Sequence, residues 1–445
     1  MAAKKHKKIQ DYDRAYSILR HYVDFALRAS YRTIKYVGTE NLPKDGAIIF
    51  APNHTNALMD ALVILAMDNR PKVYVARADI FRNPMLAKIF RFLKIMPIMR
   101  MRDGIDEVKK NNKTIEKSVD VLRDKIPFVI FPEGTHQAKY SLQTLAKGVF
   151  RIGLQAQELM PDVPLYIVPV GMRYGNFFRF RSTVRVQMGE PINLRDYIAE
   201  HPDQQPAERL NALRTILSDR LKESIFYIPN DENYDATYEI CAAVAKPLEK
   251  ELAGKRGGVR ISPLNAHFEA NNLTVSNIQQ MKEAEPEKAA KVLALGAEAN
   301  RIRKKHRISL SSVSVKYPFY SRLLKAIFLV ATIGYWLPAS LLVLPINGIC
   351  ALIFTAIKDY AFRNSIRFVI NLILWPLLMI TYSVLLLVFL PWQWALLAIA
   401  LLLPAPVVAH ETYRLWRLIG SDVRLLNQKR LRNLYKEIRE IMLNK

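Results

Sequence analysis

The chain has 445 residues, 51% of them hydrophobic, and a net charge of +25 from 65 Lys+Arg against 40 Asp+Glu. That length exceeds one ordinary core, and so basic a balance in so apolar a chain points to nucleic acid or to an anionic membrane surface. The two cysteines, Cys241 and Cys350, are far apart and lack metal-ligand spacing, which argues against a disulfide framework and fits a reducing compartment.

The first residues, Met1 to Lys8, are basic, but no signal-peptide apolar core follows them. The opening of the chain is therefore expected to be cytoplasmic. Tyr12 to Arg32 reads as a helix, with Tyr16, Leu19, Tyr22, Val23, Ala26 and Leu27 near one face. Such a helix either packs on the domain that follows or lies on lipid, which its aromatic and basic content suits.

From Thr33 to about Gly189, short β-rich runs alternate with helical stretches. The runs are 33–37, 47–51, 72–76, 95–99, 128–131, 165–170 and 183–188. Strand-helix alternation with near-continuous apolar strands predicts an α/β domain with a mostly parallel sheet covered by helices. In such sheets, functional residues gather beyond the carboxyl ends of strands.

Four groups stand at such positions. Asn53-His54 follows the run 47–51, with Asp60 just inside the next helix; imidazole titrates near neutrality, and a carboxylate fixes its tautomer. Arg100 and Arg102 follow 95–99, where a guanidinium can clamp a phosphate or simply face solvent. Phe131-Pro132-Glu133-Gly134-Thr135-His136 follows Phe128-Val129-Ile130, and Lys147-Gly148 comes shortly after. Glycine there lets the backbone approach a ligand, although the stretch also makes a plain turn. The last group, Val168-Pro169-Val170-Gly171, carries a proline that argues an edge or terminal strand position.

These four blocks, in this order, resemble the glycerolipid acyltransferase family, whose members acylate glycerol 3-phosphate or lysophosphatidate. Asn53, His54 and Asp60 match the first block and Pro97-Ile98-Met99-Arg100 the second. Phe131 to Thr135 matches the third letter for letter, and Ile167-Val168-Pro169-Val170 the fourth. The resemblance covers roughly residues 38–188. It departs from the family in having five residues, not four, between His54 and Asp60. Six helical steps of about 100° would put the two side chains on different faces, so they meet only if His54 sits in the turn before the helix. The longer spacing resembles the branch that uses glycerol 3-phosphate.

The resemblance implies direct acyl transfer from an acyl-CoA or acyl carrier protein thioester. His54 would be the general base and Asp60 its partner. Arg100, Arg102 and Lys147 would hold the acceptor phosphate. Glu133 and Gly134 would position the glycerol backbone, Asn53 and Thr135 would be further substrate-binding residues, and Pro169 would line the acyl or thioester region. No cofactor or metal is implied, because a positioned base suffices for attack of an alcohol on a thioester.

After Gly189 the sequence predicts helices at 207–224, 238–252 and 274–305, the last ending in the basic cluster Arg301 to Arg307, a juxtamembrane lipid-facing patch. Residues 326–357 and 368–409 are almost uncharged. As helix they measure about 48 Å and about 63 Å, against a hydrocarbon layer of about 30 Å. Basic residues flank every run (Arg322 and Lys325; Lys358, Arg363 and Arg367; Arg414, Arg417 and Arg424), which places all flanks on the cytoplasmic side. Two hairpins result, a shallow or re-entrant one at 326–357 and a crossing one at 368–409.

The expected organisation is a basic amino terminus and amphipathic helix (1–33), an acyltransferase domain (34–228), a helical linker (229–320), a membrane region (321–410) and a basic cytoplasmic tail helix (411–445). The expected protein is integral to the membrane, with its catalytic domain on the cytoplasmic side and phospholipids around it. A membrane lipid-binding or scaffold protein with a vestigial acyltransferase domain is the alternative. Nucleic-acid binding is disfavoured, since no zinc spacing or recognition module is present.

Overall fold

All seven runs become strands of one sheet in a computed structural model of the chain, which describes residues 8–98, 111–255, 262–313 and 318–443. They are β1 (Tyr31–Val37), β2 (Ala47–Pro52), β3 (Val73–Arg77), β4 (Ile95–Ile98), β5 (Phe128–Val129), β6 (Leu165–Tyr174) and β7 (Ser182–Met188). A short β8 (Ile192–Asn193), which the apolar pattern did not mark, pairs with β6. The order is β1-β7-β6-β2-β5-β3-β4, and the pairings are parallel except where β7 and β8 run against β6. This is the α/β class that the alternation predicts.

Among the described residues, seven helices accompany the sheet: α1 (Arg14–Ser30), α2 (Leu58–Leu65), α3 (Pro84–Phe92), α4 (Asn111–Arg123), α5 (Gly148–Leu159), α6 (Leu194–Glu200) and α7 (Pro206–Ser224). Every residue of β2 is buried, as a strand covered on both faces requires. Ile49, Phe128, Leu165 and Ile167 from the strands meet Leu122 of α4, Phe150 of α5 and Leu217 of α7 in one core. Each such side chain stabilises the fold by about 1.5–3 kcal/mol. On the sheet's edge, α1 buries Tyr16 and Leu27 and donates Arg20 to the carbonyls of Asp68 and Asn69. Ile18 and Phe25 of the same helix remain exposed.

Pro169 overturns its expected edge position. It lies in β6, between β2 and β7, opposite Ala51. Its carbonyl accepts from Gly189, just past the end of β7, while β8 begins only at Ile192. The missing N–H thus faces the break between β7 and β8, where no ladder bond is lost. Two residues on, β6 comes against the end of α7: a Cβ on Gly171 would stand 2.2 Å from the Ser224 carbonyl oxygen.

The chain divides into two compact units. One holds the residues up to Ile225 together with Asp359–Ser365; the other holds Phe226–Lys358 and Ile366–Lys445. In the second, helices Tyr234–Lys255, Pro263–Ala284, Pro286–Lys305 and Lys429–Met442 share a core that includes Ile240, Val292, Leu434 and Ile438. The stretch expected as one helix from 274 to 305 is two, because Pro286 cannot continue the hydrogen-bond ladder and instead begins a new helix. The earlier of the two starts well inside the expected connector, where Ser262 caps it on Asn265 ahead of Pro263. Arg303 does not face lipid. Its Nε bonds both oxygens of the buried Glu239 at 2.7 and 2.8 Å, and Tyr435 donates to the same carboxylate.

Among the described residues, Tyr360–Phe389 is long and apolar enough to cross a membrane. Two bent pairs, Phe319–Ala331 with Ile333–Leu342 and Trp392–Leu402 with Ala405–Asn427, would each make one further span if taken together, with bends of 75° and 50°. Within the second apolar run, 368–409, the helix breaks at Leu390 and Pro391 and resumes at Trp392.

Candidate active site

β6, β2 and β5 are neighbours, and the loops beyond their carboxyl ends converge. β2 stops at Pro52, and Asn53 to Ala57 form a turn before α2. Asp60 is the third residue of that helix and fully buried. Its Oδ2 accepts from His54 Nδ1 at 2.8 Å and from the backbone N–H groups of Thr55 and Asn56, each at 2.7 Å. Its Oδ1 accepts from the Tyr174 hydroxyl at 2.6 Å. The carboxylate thus reaches back over the start of its own helix, as acids in a first turn do.

The added residue between His54 and Asp60 is absorbed at Ala57, whose φ of 47° and ψ of −124° are outside the regions open to a residue with a Cβ. The sharp turn there swings His54 onto the Asp60 side, so the two side chains meet despite their spacing.

A carboxylate only accepts, so His54 Nδ1 carries the proton and Nε2 keeps its lone pair. One face of the imidazole stacks on Phe131, with ring centroids 4.2 Å apart. His136 meets it edge-on at 5.6 Å. The His54 side chain is 17% exposed, which leaves it a route to a ligand.

Glu133 holds the backbone of this loop. Its Oε1 accepts from the His54 N–H at 2.7 Å and its Oε2 from the Gln143 N–H at 3.2 Å. Burial pushes its carboxyl up to about 7, against the pull of those hydrogen bonds. Gly134 has a φ of 66°, and a Cβ there would meet no atom within 4 Å. Thr135 and Gln143 pair reciprocally, hydroxyl to amide oxygen and amide nitrogen to carbonyl. Lys147 immediately precedes α5, in a stretch tied to the Glu133 turn by the 2.7 Å bond from Ala146 N–H to the Pro132 carbonyl. Its ammonium has no partner among the described residues.

Two expected site residues are engaged elsewhere. Asn53 is 3% exposed, and both ends of its amide bond the Met172 backbone, at 2.6 and 3.1 Å. It joins β2 to β6. Pro169 is buried with its ring beside Gly189. Arg100 and Arg102 lie outside the described residues; they follow β4, at the edge of the sheet. The structure adds Tyr174, Gln143 and His136 to the site. Burial and the adjacent Asp60 hold the Tyr174 phenol well above its ordinary range, so it remains a donor.

The profile of the Acyltransferase family matches residues 33–173, from within β1 to the penultimate residue of β6. The chain carries an acyltransferase-family domain. The chain is 24% identical over 349 residues to glycerol-3-phosphate O-acyltransferase 2 of Saccharomyces cerevisiae, covering 71% of this chain and 44% of that one. It is 34% identical over 89 residues to glycerol-3-phosphate O-acyltransferase 1 of the same yeast, covering 20% and 12%. It thus spans less than half the length of either yeast relative. A 1-acyl-sn-glycerol-3-phosphate acyltransferase of Borreliella burgdorferi is 24% identical over 152 residues, 34% of this chain and 58% of that one. Among solved structures, the 1-acyl-sn-glycerophosphate acyltransferase of Thermotoga maritima matches with a TM-score of 0.34 and 18% identity, over 47% of this chain and 78% of that one.

Proposed function

We propose that the chain is a membrane-bound O-acyltransferase that moves a fatty acyl group from an acyl-CoA or acyl carrier protein thioester to glycerol 3-phosphate or 1-acylglycerol 3-phosphate. The observation that carries this reading is the 2.8 Å bond between His54 Nδ1 and a buried Asp60 that three other donors hold in place. That arrangement leaves His54 Nε2 as a base aimed away from its partner.

In the reaction, Nε2 takes the proton of the acceptor hydroxyl as its oxygen attacks the thioester carbonyl. Asp60 stabilises the imidazolium that forms. Collapse of the tetrahedral intermediate breaks the C–S bond, and the imidazolium returns its proton to the departing thiolate. Arg100, Arg102 and Lys147 hold the acceptor phosphate. Glu133, Gly134 and Thr135 shape the place of the glycerol backbone, the open space over Gly134 giving it room. Asn53 and Pro169 have no substrate contact in this scheme. The His54–Asp60 spacing and the names of the yeast relatives favour glycerol 3-phosphate as acceptor. The exposed apolar helix Tyr360–Phe389 supports membrane insertion, and the basic residues flanking the apolar runs favour the cytoplasmic side for the acyltransferase domain.

Purified protein in phospholipid vesicles, given each thioester with each acceptor, tests the proposal. Acyl transfer that His54→Ala abolishes is expected. Equal inactivity of native and variant protein with every pair would replace this reading with a lipid-binding or scaffold role. Release of the chain from membranes by alkaline carbonate would overturn its membrane part.

A further inference from the structure

One part of this unit comes from far along the chain. Residues 359–365 group with the acyltransferase domain, although they open the apolar helix Tyr360–Phe389. Asp359 divides its carboxylate between two tasks. Oδ1 accepts from the Ala361 N–H at 2.8 Å, which caps the helix, and Oδ2 accepts from His136 Nε2 at 2.8 Å. Phe362 meets the His136 ring edge-on at 5.2 Å, and Tyr360 stacks against Phe178. Asn364 donates to the side-chain oxygen of Asn56 at 3.1 Å.

Both ends of this clasp bear on the candidate base. His136, gripped by Asp359 and Phe362, has its ring 5.6 Å from that of His54, on a different side from the Phe131 stack. Asn56 is fully buried and gives its own N–H to Asp60; its amide nitrogen donates to the Phe177 carbonyl and its oxygen receives Asn364. One residue of the segment therefore steadies the imidazole through a neighbouring ring, and another steadies the loop that holds its carboxylate.

We infer that Asp359 and Asn364 are positioning residues for acyl transfer, acting through His136 and Asn56 to fix the His54 ring relative to the acceptor hydroxyl. The inference rests on the acyl-transfer reading above. The residues that the family profile matches end at 173, so the site is completed by a segment well outside them. Misplacement by about 1 Å in a reacting group can cost a hundredfold in rate, and that loss falls on kcat when binding contacts are left alone.

The experiment uses the full chain in vesicles and compares native protein with Asp359→Ser, Asp359→Asn, Asn364→Ala and His54→Ala. Serine keeps the helix cap but cannot span to His136, whereas asparagine keeps both a cap and a hydrogen-bonding group toward the imidazole. The Ser and Ala variants should lose about tenfold or more in kcat, with acceptor and donor KM within about twofold of native. The Asn variant should recover most of the rate. Native kcat in Asp359→Ser and Asn364→Ala beside an inactive His54→Ala would overturn this inference alone. A raised acceptor KM at unchanged kcat, or an Asn variant as slow as the Ser variant, would overturn it too. Native activity in His54→Ala would remove both this inference and the reading beneath it.

Discussion

Tyr174, at the end of β6, and His54, beyond the end of β2, donate to opposite oxygens of one buried carboxylate, that of Asp60. The tyrosine keeps Asp60 from turning, and Asp60 keeps the imidazole from turning. Removing the phenol leaves a buried charge short of one donor. Tyr174→Phe should therefore lower the unfolding free energy by about 1.5–3 kcal/mol, read by denaturant titration, while the amount of folded protein at 20 °C is unchanged.

Asp60→Asn asks more of the site. The new amide places donors where His54, Thr55, Asn56 or Tyr174 already donate, and the imidazole loses the charge that stabilises its protonated form. Acyl transfer should fall by about 10²–10⁴-fold, measured as initial rate at saturating donor. Near-native rates would show that His54 works without its partner.

Glu133 makes stability depend on pH. Burial lifts its carboxyl from 4.5 to about 7 in the folded chain, so between those values the folded state binds the more protons. The stabilisation linked to the bound proton is fully present below pH 4.5 and is lost as pH rises through 7, a contribution on the order of 3 kcal/mol. Glu133→Gln has nothing to titrate, and its denaturation midpoint should vary less than that of the native chain between pH 5 and 8. Parallel curves for the two proteins would place the titration elsewhere.

Ala57 carries backbone strain of about 1–3 kcal/mol at its φ of 47°. Glycine should relieve it, and Ala57→Gly should match or exceed the native unfolding midpoint despite the greater freedom of the unfolded chain. Ala57→Val should lower the midpoint, because a β-branched side chain tolerates that backbone least. Deleting Ala57 should separate His54 from Asp60 and abolish transfer, even though it restores the commoner family spacing.

Much of this was legible from local pattern. The seven apolar runs gave seven strands because a doubly covered sheet needs continuous hydrophobic stretches, which stand out in a single sequence. His54, Asp60 and Glu133 stood out as candidates because each lies just past a strand or in the first turn of a helix, while the roles proposed for them came from the family resemblance. Tyr174 was not, since its bond to Asp60 joins residues 114 positions apart and a tyrosine ending an apolar strand looks like any other core residue. Pro169 misled for a related reason: a missing donor marks one side of a strand, and the break between β7 and β8 supplies that side within the sheet. The charge run at 301–307 hid Glu239, whose burial against Arg303 depends on a helix 64 residues earlier.

The bond from His136 to Asp359 also counts membrane crossings. Two residues within 2.8 Å of each other lie on one side of any bilayer. If the chain is inserted in a membrane as proposed, the stretch from 318 to 358 would leave it on the face by which it entered, with crossings even in number or zero. A single pass through that stretch would tear the pair apart. Parity, set by one hydrogen bond between residues 223 positions apart, is thus a condition on the proposed insertion that helix length alone does not supply.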